Sequence, residues 1–391
     1  MAALPRYLQQ THLVARFQRC CGLYLSWDAG AKHQHHRASI NGDTPAAGTW
    51  PGPAQPNGSG SQRKPSGRDH TPRYIVKNYV LYCLFRFAAA LGQEIFYITF
   101  LPFTYWNIDP YVARRLINVW MVVMYIGQAS KDLLKWPRPA SPPVVKLETR
   151  VDTEYGMPST HAMAATAISF TFLLATMHRY KYSLEMGLMV AFFLSTLVSL
   201  SRIYTGMHTV LDVICGALAA ALIIAMTYPF WDITDYLLLT SPFCPLFFMV
   251  VPFLMGYNYP KLDHYSPTRA DTTTILGVAA GTNIGDWLNY QSGRIYEPIG
   301  SPPFVIPPVT IDLLVLILVR FLLGMCVLIF TRQVVKSLSL ELLCLWHKVS
   351  VKDTEARHSL EIEVPYKFVT YSAIGFSATV VVPLICKSVG L

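Results

Sequence analysis

Charge is scarce in this 391-residue sequence: Asp, Glu, Lys and Arg together make up 14% of it, and acids are the rarer sign, 23 against 32 Lys plus Arg. So few charges cannot coat a soluble domain of this size. The apolar 52% is gathered into long runs rather than spread evenly. That pattern excludes an ordinary soluble enzyme and predicts a polytopic membrane protein. The N-terminus lacks a basic start followed by an apolar core and a small-residue cleavage site, so the first apolar run is expected to act as an uncleaved signal. The eight cysteines, at 20, 21, 83, 215, 244, 326, 344 and 386, lack metal-type spacing. Most fall in or beside apolar runs and read as packing residues rather than a disulfide frame, while Cys20 and Cys21 offer a palmitoylation site. RNP-like aromatic motifs and basic recognition helices are missing too. The net charge of +9 therefore points to anionic membrane lipids as partners and not to nucleic acid.

Runs long enough to cross a bilayer lie near 79–104, 113–130, 161–178, 184–201, 208–230, 242–259, 273–290, 309–330 and 367–386. The expectation is an all-α membrane bundle of about nine transmembrane helices. The run at 273–290, rich in Gly and polar residues, is the weakest. Residues 1–73 are different in kind: GTWPGPAQPNGSGSQRKPSG is low-complexity, and the segment reads as a disordered tail ahead of a membrane domain at 74–391. Within the tail, LVARFQRCCGLYL places Leu13, Phe17 and Cys21 on one helical face, a candidate membrane-surface contact. His33, His35 and His36 suggest metal binding by composition only. Residues 332–366 read as a loop with a surface amphipathic helix, and Arg269, Asp271 and Asp286 as ions paired inside the bundle.

Three polar clusters sit where apolar runs begin or end. KDLLKWPRPASPP (131–143) carries Lys131 and Arg138, with prolines that stop the helix and stiffen the loop; a positive stop at a membrane face would account for these charges as well. YGMPSTHAMAAT (155–166) places Ser159 or Thr160 as the cap of a helix whose first N–H groups have no internal partners, a ready anion site. His161 in that turn, taken alone, reads as a packed interfacial histidine. SRIYTGMHTVLD (201–212) supplies Arg202, His208 and Asp212. The last two are four apart and are expected to share a helical face, so that the carboxylate reaches one ring nitrogen. Ionisable groups in such an apolar segment must face a protein interior or a wet cavity, which makes function the default.

Together these clusters provide three fixed cations, two imidazoles, a carboxylate and a helix N-terminus, a set suited to a phosphate monoester. An imidazole oriented by Asp212 can attack phosphorus from its other nitrogen, which assigns His208 as nucleophile. The leaving alkoxide needs a proton, and His161 is the remaining group able to give one near neutral pH.

K-x6-R-P at 131–139, Pro158-Ser159-Thr160-His161, and Ser201-Arg202-x5-His208-x3-Asp212 resemble, in order and spacing, the three motifs of the type 2 phosphatidic acid phosphatase superfamily, which includes the vanadium haloperoxidases. Thr160 stands where that pattern has Gly. With WPRPASPPVVKLE, EYGMPSTHAM, SRIYTGMHTVLDV, SPTRADTTTILG and EVPYKFVTY, it resembles the sphingosine-1-phosphate phosphatases, over residues 74–391. The resemblance implies a haloperoxidase-like catalytic core at about 113–230 and hydrolysis of a sphingoid base phosphate through a phosphohistidine on His208. It implies Lys131, Arg138 and Arg202 as phosphate ligands with Ser159, Thr160 and the adjoining backbone, no metal or other cofactor, and an endoplasmic reticulum membrane location. The β-branched Thr160 is expected to change the angle of the backbone contact. Two other functions remain open: a lipid phosphate phosphatase of broader range, and a non-catalytic phospholipid transporter that uses the same cations, although the latter gives no reason for His208-x3-Asp212. A soluble haloperoxidase is excluded by the apolar runs.

Overall fold

The structure is a computed structural model that describes residues 3–26, 74–148, 154–294, 296, 298 and 300–391. The histidines at 33–36 and the stretch 27–73 lie outside the described residues. Helices dominate. Two short ones, α1 (Ala3–Leu8) and α2 (Thr11–Cys20), open the chain, and strand β1 (Leu23–Leu25) pairs antiparallel with β2 (Tyr74–Val76). Then come α3 (Tyr79–Ala90), α4 (Glu94–Asn107), α5 (Pro110–Leu134), α6 (Thr160–Thr176), α7 (Leu184–Tyr204), α8 (Val210–Thr227), α9 (Trp231–Thr240) and α10 (Cys244–Tyr257). The chain closes with α11 (Thr268–Gln291), α12 (Ile311–Trp346), α13 (Thr354–Arg357), α14 (Leu360–Phe376) and α15 (Val382–Val389).

Each apolar run read from the sequence falls on helix, but the helices differ in how they meet lipid. Among the described residues four helical stretches are long and apolar enough to cross a membrane: 184–204, 210–240, 311–346 and 360–389. A fifth is counted if α3 and α4, bent by 64° at their junction, form one span. The single straight helix expected over 79–104 is thus broken, and Gly92 lies at the break. Helices α5 and α11 have the length but too many polar groups, because both are wrapped by other helices: Arg114, Arg115, Lys131 and Asp132 on α5 are buried, as are Thr272, Asn283 and Asp286 on α11. The weakness of the 273–290 run in the sequence has this cause, since a helix enclosed by protein has no need to be lipid-soluble. Helix α12 is the opposite case. It runs unbroken through Trp346, so the loop expected from 332 begins only after its end.

Helix α6 forms the centre of one half of the molecule, packed by α5, α7 and α8. Its buried face is built from Ala162, Ala164, Ala165 and Ala167, which let neighbouring helices come close. Gly216 of α8 crosses at the carbonyl of Ser159, where a Cβ would come within 2.7 Å of that oxygen. The other half is organised by α11 against α14, with Gly277, Gly281 and Gly285 one turn apart along the contact.

The N-terminal segment corrects the expectation of a tail disordered from its first residue. Val14, Ala15 and Gln18 of α2 and Leu23 and Leu25 of β1 are buried against the half centred on α6. Val14 and Ala15 pack with Val144, Ile203 and Val213, so the buried face of α2 serves protein contact and not a membrane surface. Cys20 is exposed and Cys21 half-buried at its end.

Candidate active site

The site is assembled where the ends of α5, α6, α7 and α8 meet the described parts of the connection that follows α5, 135–148 and 154–159. Lys131 lies in the last turn of α5, and Lys135 ends that helix in the left-handed conformation. Arg138 follows in the proline-stiffened loop. Ser159 caps α6, its Oγ accepting from the Ala162 N–H at 3.5 Å, and its own N–H donates to the Asp212 carbonyl at 3.0 Å. The Ser159 amide is therefore used within the protein, and the amides left for an anion at this turn are those that follow it. Lys131 Nζ approaches the Thr160 hydroxyl at 3.4 Å, so threonine in place of glycine adds a side-chain contact to this lysine.

Arg202, 1% exposed, lies in the last turn of α7, and Gly206, at φ +73°, turns the chain towards α8. His208 precedes α8 instead of standing on it. Thr209 is the N-cap, and Asp212 completes a capping box in which its Oδ2 accepts from the Thr209 N–H at 2.7 Å. This corrects the expected shared helical face. His208 Nδ1 is 3.8 Å from Asp212 Oδ2, beyond the roughly 3.2 Å limit of an N–H···O bond. Both residues are buried, and His208 Nδ1 and Asp212 Oδ1 each lack a hydrogen-bond partner. Buried polar atoms without partners are costly. Burial, together with the charges of Arg138, Arg202 and Lys131, holds the His208 imidazole well below the usual histidine range, with His161 adding to the effect. The ring is thereby held neutral near pH 7, with a lone pair on one nitrogen.

His161 sits in the first turn of α6, pressed against the α3–α4 break. A Cβ on Gly92 would stand 2.7 Å from its Cδ2, so the break and its glycine make room for the imidazole. Gly156 plays a similar part between the motifs: a Cβ there would meet the Pro137 carbonyl at 3.0 Å and Asp212 Oδ2 at 3.3 Å. All the residues singled out from sequence, Lys131, Arg138, Ser159, Thr160, His161, Arg202, His208 and Asp212, thus come from these helix ends and the loops joining them.

Three further residues belong with them. Glu154 Oε2 accepts from Lys131 Nζ at 3.0 Å and from Arg138 Nη2 at 3.2 Å, while its carbonyl accepts from Arg138 Nε at 2.9 Å. Glu148 forks onto Arg202, with Nη1 at 3.0 Å and Nη2 at 3.1 Å, and the buried Arg202 Nε is left without a partner. Gln18 of α2 fixes the stretch that carries Glu148. Its Nε2 donates to the carbonyls of Val145 (2.7 Å) and Tyr204 (2.8 Å), and its Oε1 accepts from the Val145 N–H (2.9 Å). A lone Gln in a polar segment carries no sign of this. Glu154, four residues before Pro158 inside a motif already singled out, was the one that a search for counter-charges to the three cations could have found.

Below His161 the same face of α6 carries Ala164 and Ile168, which pack with Tyr97, Leu101, Ile117 and Trp120. Beyond them an apolar cavity opens between α4, α5, α11, α12 and α14, lined by Tyr97, Leu101, Tyr105, Trp120, Leu328 and Ile374 among others.

A helical core with two histidines, a capping-box aspartate and three cations at converging helix ends defines a class, the PAP2 superfamily phosphatases, and that superfamily is matched over residues 113–234. Over its whole length the chain is 54% identical to sphingosine-1-phosphate phosphatase 2 of Homo sapiens and 52% identical to its counterpart in Mus musculus, with 100% of each protein covered. It is 38% identical to sphingosine-1-phosphate phosphatase 1 of Mus musculus, across 98% of that protein. The chain belongs to the sphingosine-1-phosphate phosphatase family. No solved structure matches it.

Proposed function

We propose that this membrane protein hydrolyses sphingosine-1-phosphate and related sphingoid base phosphates to the free base and inorganic phosphate, with His208 as nucleophile and His161 as general acid. The observation that carries this reading is the neutral, buried His208 set among Lys131, Arg138 and Arg202. Its Nδ1 faces Asp212, which leaves Nε2 for phosphorus. The Nε2 lone pair attacks phosphorus, the P–O ester bond breaks, and the leaving oxygen takes the proton that His161 acquires when the phosphate dianion binds beside it, becoming the alcohol. Asp212 stabilises the charge that develops on the ring. Water then attacks the phosphohistidine and gives its proton to His161. The P–N bond breaks, its electron pair returns to His208 and phosphate leaves.

The three cations neutralise the equatorial oxygens throughout, which is positioning and electrostatic stabilisation of the kind phosphoryl transfer requires. Because protein cations supply that charge, activity should persist in excess chelator and fall with vanadate. The sphingoid chain would run along the His161 face of α6 into the cavity lined by Tyr97, Leu101 and Trp120, entering sideways from lipid. We place the protein in the endoplasmic reticulum membrane with about nine spans and the site facing the lumen; protease protection of a tail epitope in intact microsomes tests this orientation.

Side-by-side turnover of sphingosine-1-phosphate and phosphatidate by the purified protein tests the substrate. A clear preference for the sphingoid phosphate is expected, and equal rates would favour a broad-range phosphatase.

A further inference from the structure

A pocket built only to bind a dianion has no use for half-buried carboxylates, yet each of the three cations proposed to bind phosphate here already holds one. Glu154 is shared by Lys131 and Arg138 and Glu148 is forked onto Arg202, with side chains only 13% and 14% exposed. Desolvating a carboxylate and then requiring the substrate to displace it weakens binding of any ligand that brings negative charge alone. The arrangement suits a ligand of both signs. Sphingoid base phosphates are such ligands, with an ammonium on the carbon next to the one that carries the phosphate ester. Phosphatidate and lysophosphatidate have no amine.

Resting on the substrate class proposed above, we propose that Glu154 is the ammonium ligand of the substrate and sets the preference for amine-bearing lipid phosphates. On binding, phosphate oxygens take over Lys131 and Arg138, and the released Glu154 carboxylate pairs with the ammonium. One buried set of ion pairs is exchanged for another with no net charge left unpaired.

The geometry favours Glu154 over Glu148. Glu148 commits both oxygens to the Arg202 fork, whereas the hydrogen bonds from Lys131 and Arg138 both fall on Oε2 of Glu154. Glu154 is also linked through Lys131 to the turn that carries His161. Its partner Lys131 reaches Thr160, the residue beside His161, and the ammonium belongs to the alcohol that His161 protonates. A fork with both oxygens engaged is the harder pair to open.

The test compares purified full-length wild type and Glu154→Gln in detergent micelles on sphingosine-1-phosphate, its N-acetylated counterpart and lysophosphatidate of matched chain length. Wild type is expected to prefer the free amine over the N-acetylated lipid by at least tenfold in kcat/KM, and Glu154→Gln to lose at least tenfold of the selectivity for sphingosine-1-phosphate over lysophosphatidate. Inhibition of the variant by inorganic phosphate reports that its cation site is intact. An equal loss on both lipids would make Glu154 an organiser of the cations only, an equal gain would make it a plug, and either result overturns the proposal. If the variant fails to fold, wild type alone decides: equal rates on the free-amine and N-acetylated lipids overturn it. Failure of the substrate reading is separate and shows as wild type inert on sphingosine-1-phosphate while cleaving lysophosphatidate.

Discussion

At one end of α5, Arg115 Nε donates to Asp235 at 2.7 Å and its Nη2 pairs with Asp232, while Arg114 reaches Asp235 at 3.4 Å and Asp286 at 3.9 Å. At the other end Lys131 pairs with Glu154. Both ends bury a cation against a carboxylate, but the carboxylates come from different places. Asp232 and Asp235 belong to α9 and Asp286 to α11, and the Arg115 guanidinium is further held 4.2 Å from the Tyr111 ring. Those partners are fixed by helices and cannot leave. Glu148 and Glu154 lie on the connection between α5 and α6, outside regular secondary structure. Pairs held by helices build the scaffold, and pairs offered by a loop can be exchanged for a ligand. His161 and His208 stand at the second end, with Lys131 and Arg138.

Replacing His208, the proposed nucleophile, should separate the two ends most sharply. His208→Ala is expected to lower turnover at least about a thousandfold with no loss of thermal stability in detergent, and His161→Ala to be similarly inactive on a lipid with an alkoxide leaving group. Next in size is the contrast between the arginines. Arg115→Ala leaves Asp235 buried without its closest partner and should cost about 3–5 kcal/mol of stability, read as a lowered melting temperature and poor recovery of folded protein. Arg138→Ala should leave the melting temperature nearly unchanged and abolish most activity. If Arg138→Ala unfolds the protein while Arg115→Ala is tolerated, the division into scaffold and exchangeable pairs is wrong.

Asp212→Asn is expected to have a smaller effect, about a hundredfold in kcat, because the capping box can be kept by the amide oxygen while support for the charged ring is lost. The smallest effect is on pH-dependent stability. His208 is held neutral in the folded protein well below its ordinary pKa of 6.5, so below that pH the unfolded chain binds a proton that the native state refuses. Stability should therefore fall as pH drops through 6.5, by up to about 1.4 kcal/mol per pH unit from this group, and be fully present above it. His208→Gln should flatten the slope of melting temperature against pH between 6.5 and 5 relative to wild type.

The motif residues were legible because ionisable side chains at the ends of apolar runs have few structural explanations. Lys131, Arg138, His161, Arg202, His208 and Asp212 stand out against their surroundings for that reason. The relation of His208 to Asp212 was misread because a spacing of four implies a shared face only if both residues are helical, and the cap at Thr209 places His208 outside. Glu154 stands inside a quoted motif and was open to a search for counter-charges, whereas Glu148 pairs with Arg202, 54 positions away, which follows from how the helices converge and which no local pattern encodes. Gln18 was less legible still, because its three bonds go to backbone atoms of Val145 and Tyr204, which any sequence would provide. The bend near Gly92 was hidden because both halves are apolar enough to read as one run.

The central claim is that phosphorus passes through a covalent bond to His208. Rapid acid-free quenching of the purified protein a few milliseconds after mixing with sphingosine-1-phosphate labelled on phosphorus tests it directly, followed by alkaline digestion conditions under which phosphohistidine survives. The account predicts label on the peptide that contains His208, lost on brief acid treatment and missing from His208→Ala. Label on any other residue, or full turnover by wild type with no protein-bound phosphate at any time point, would contradict it.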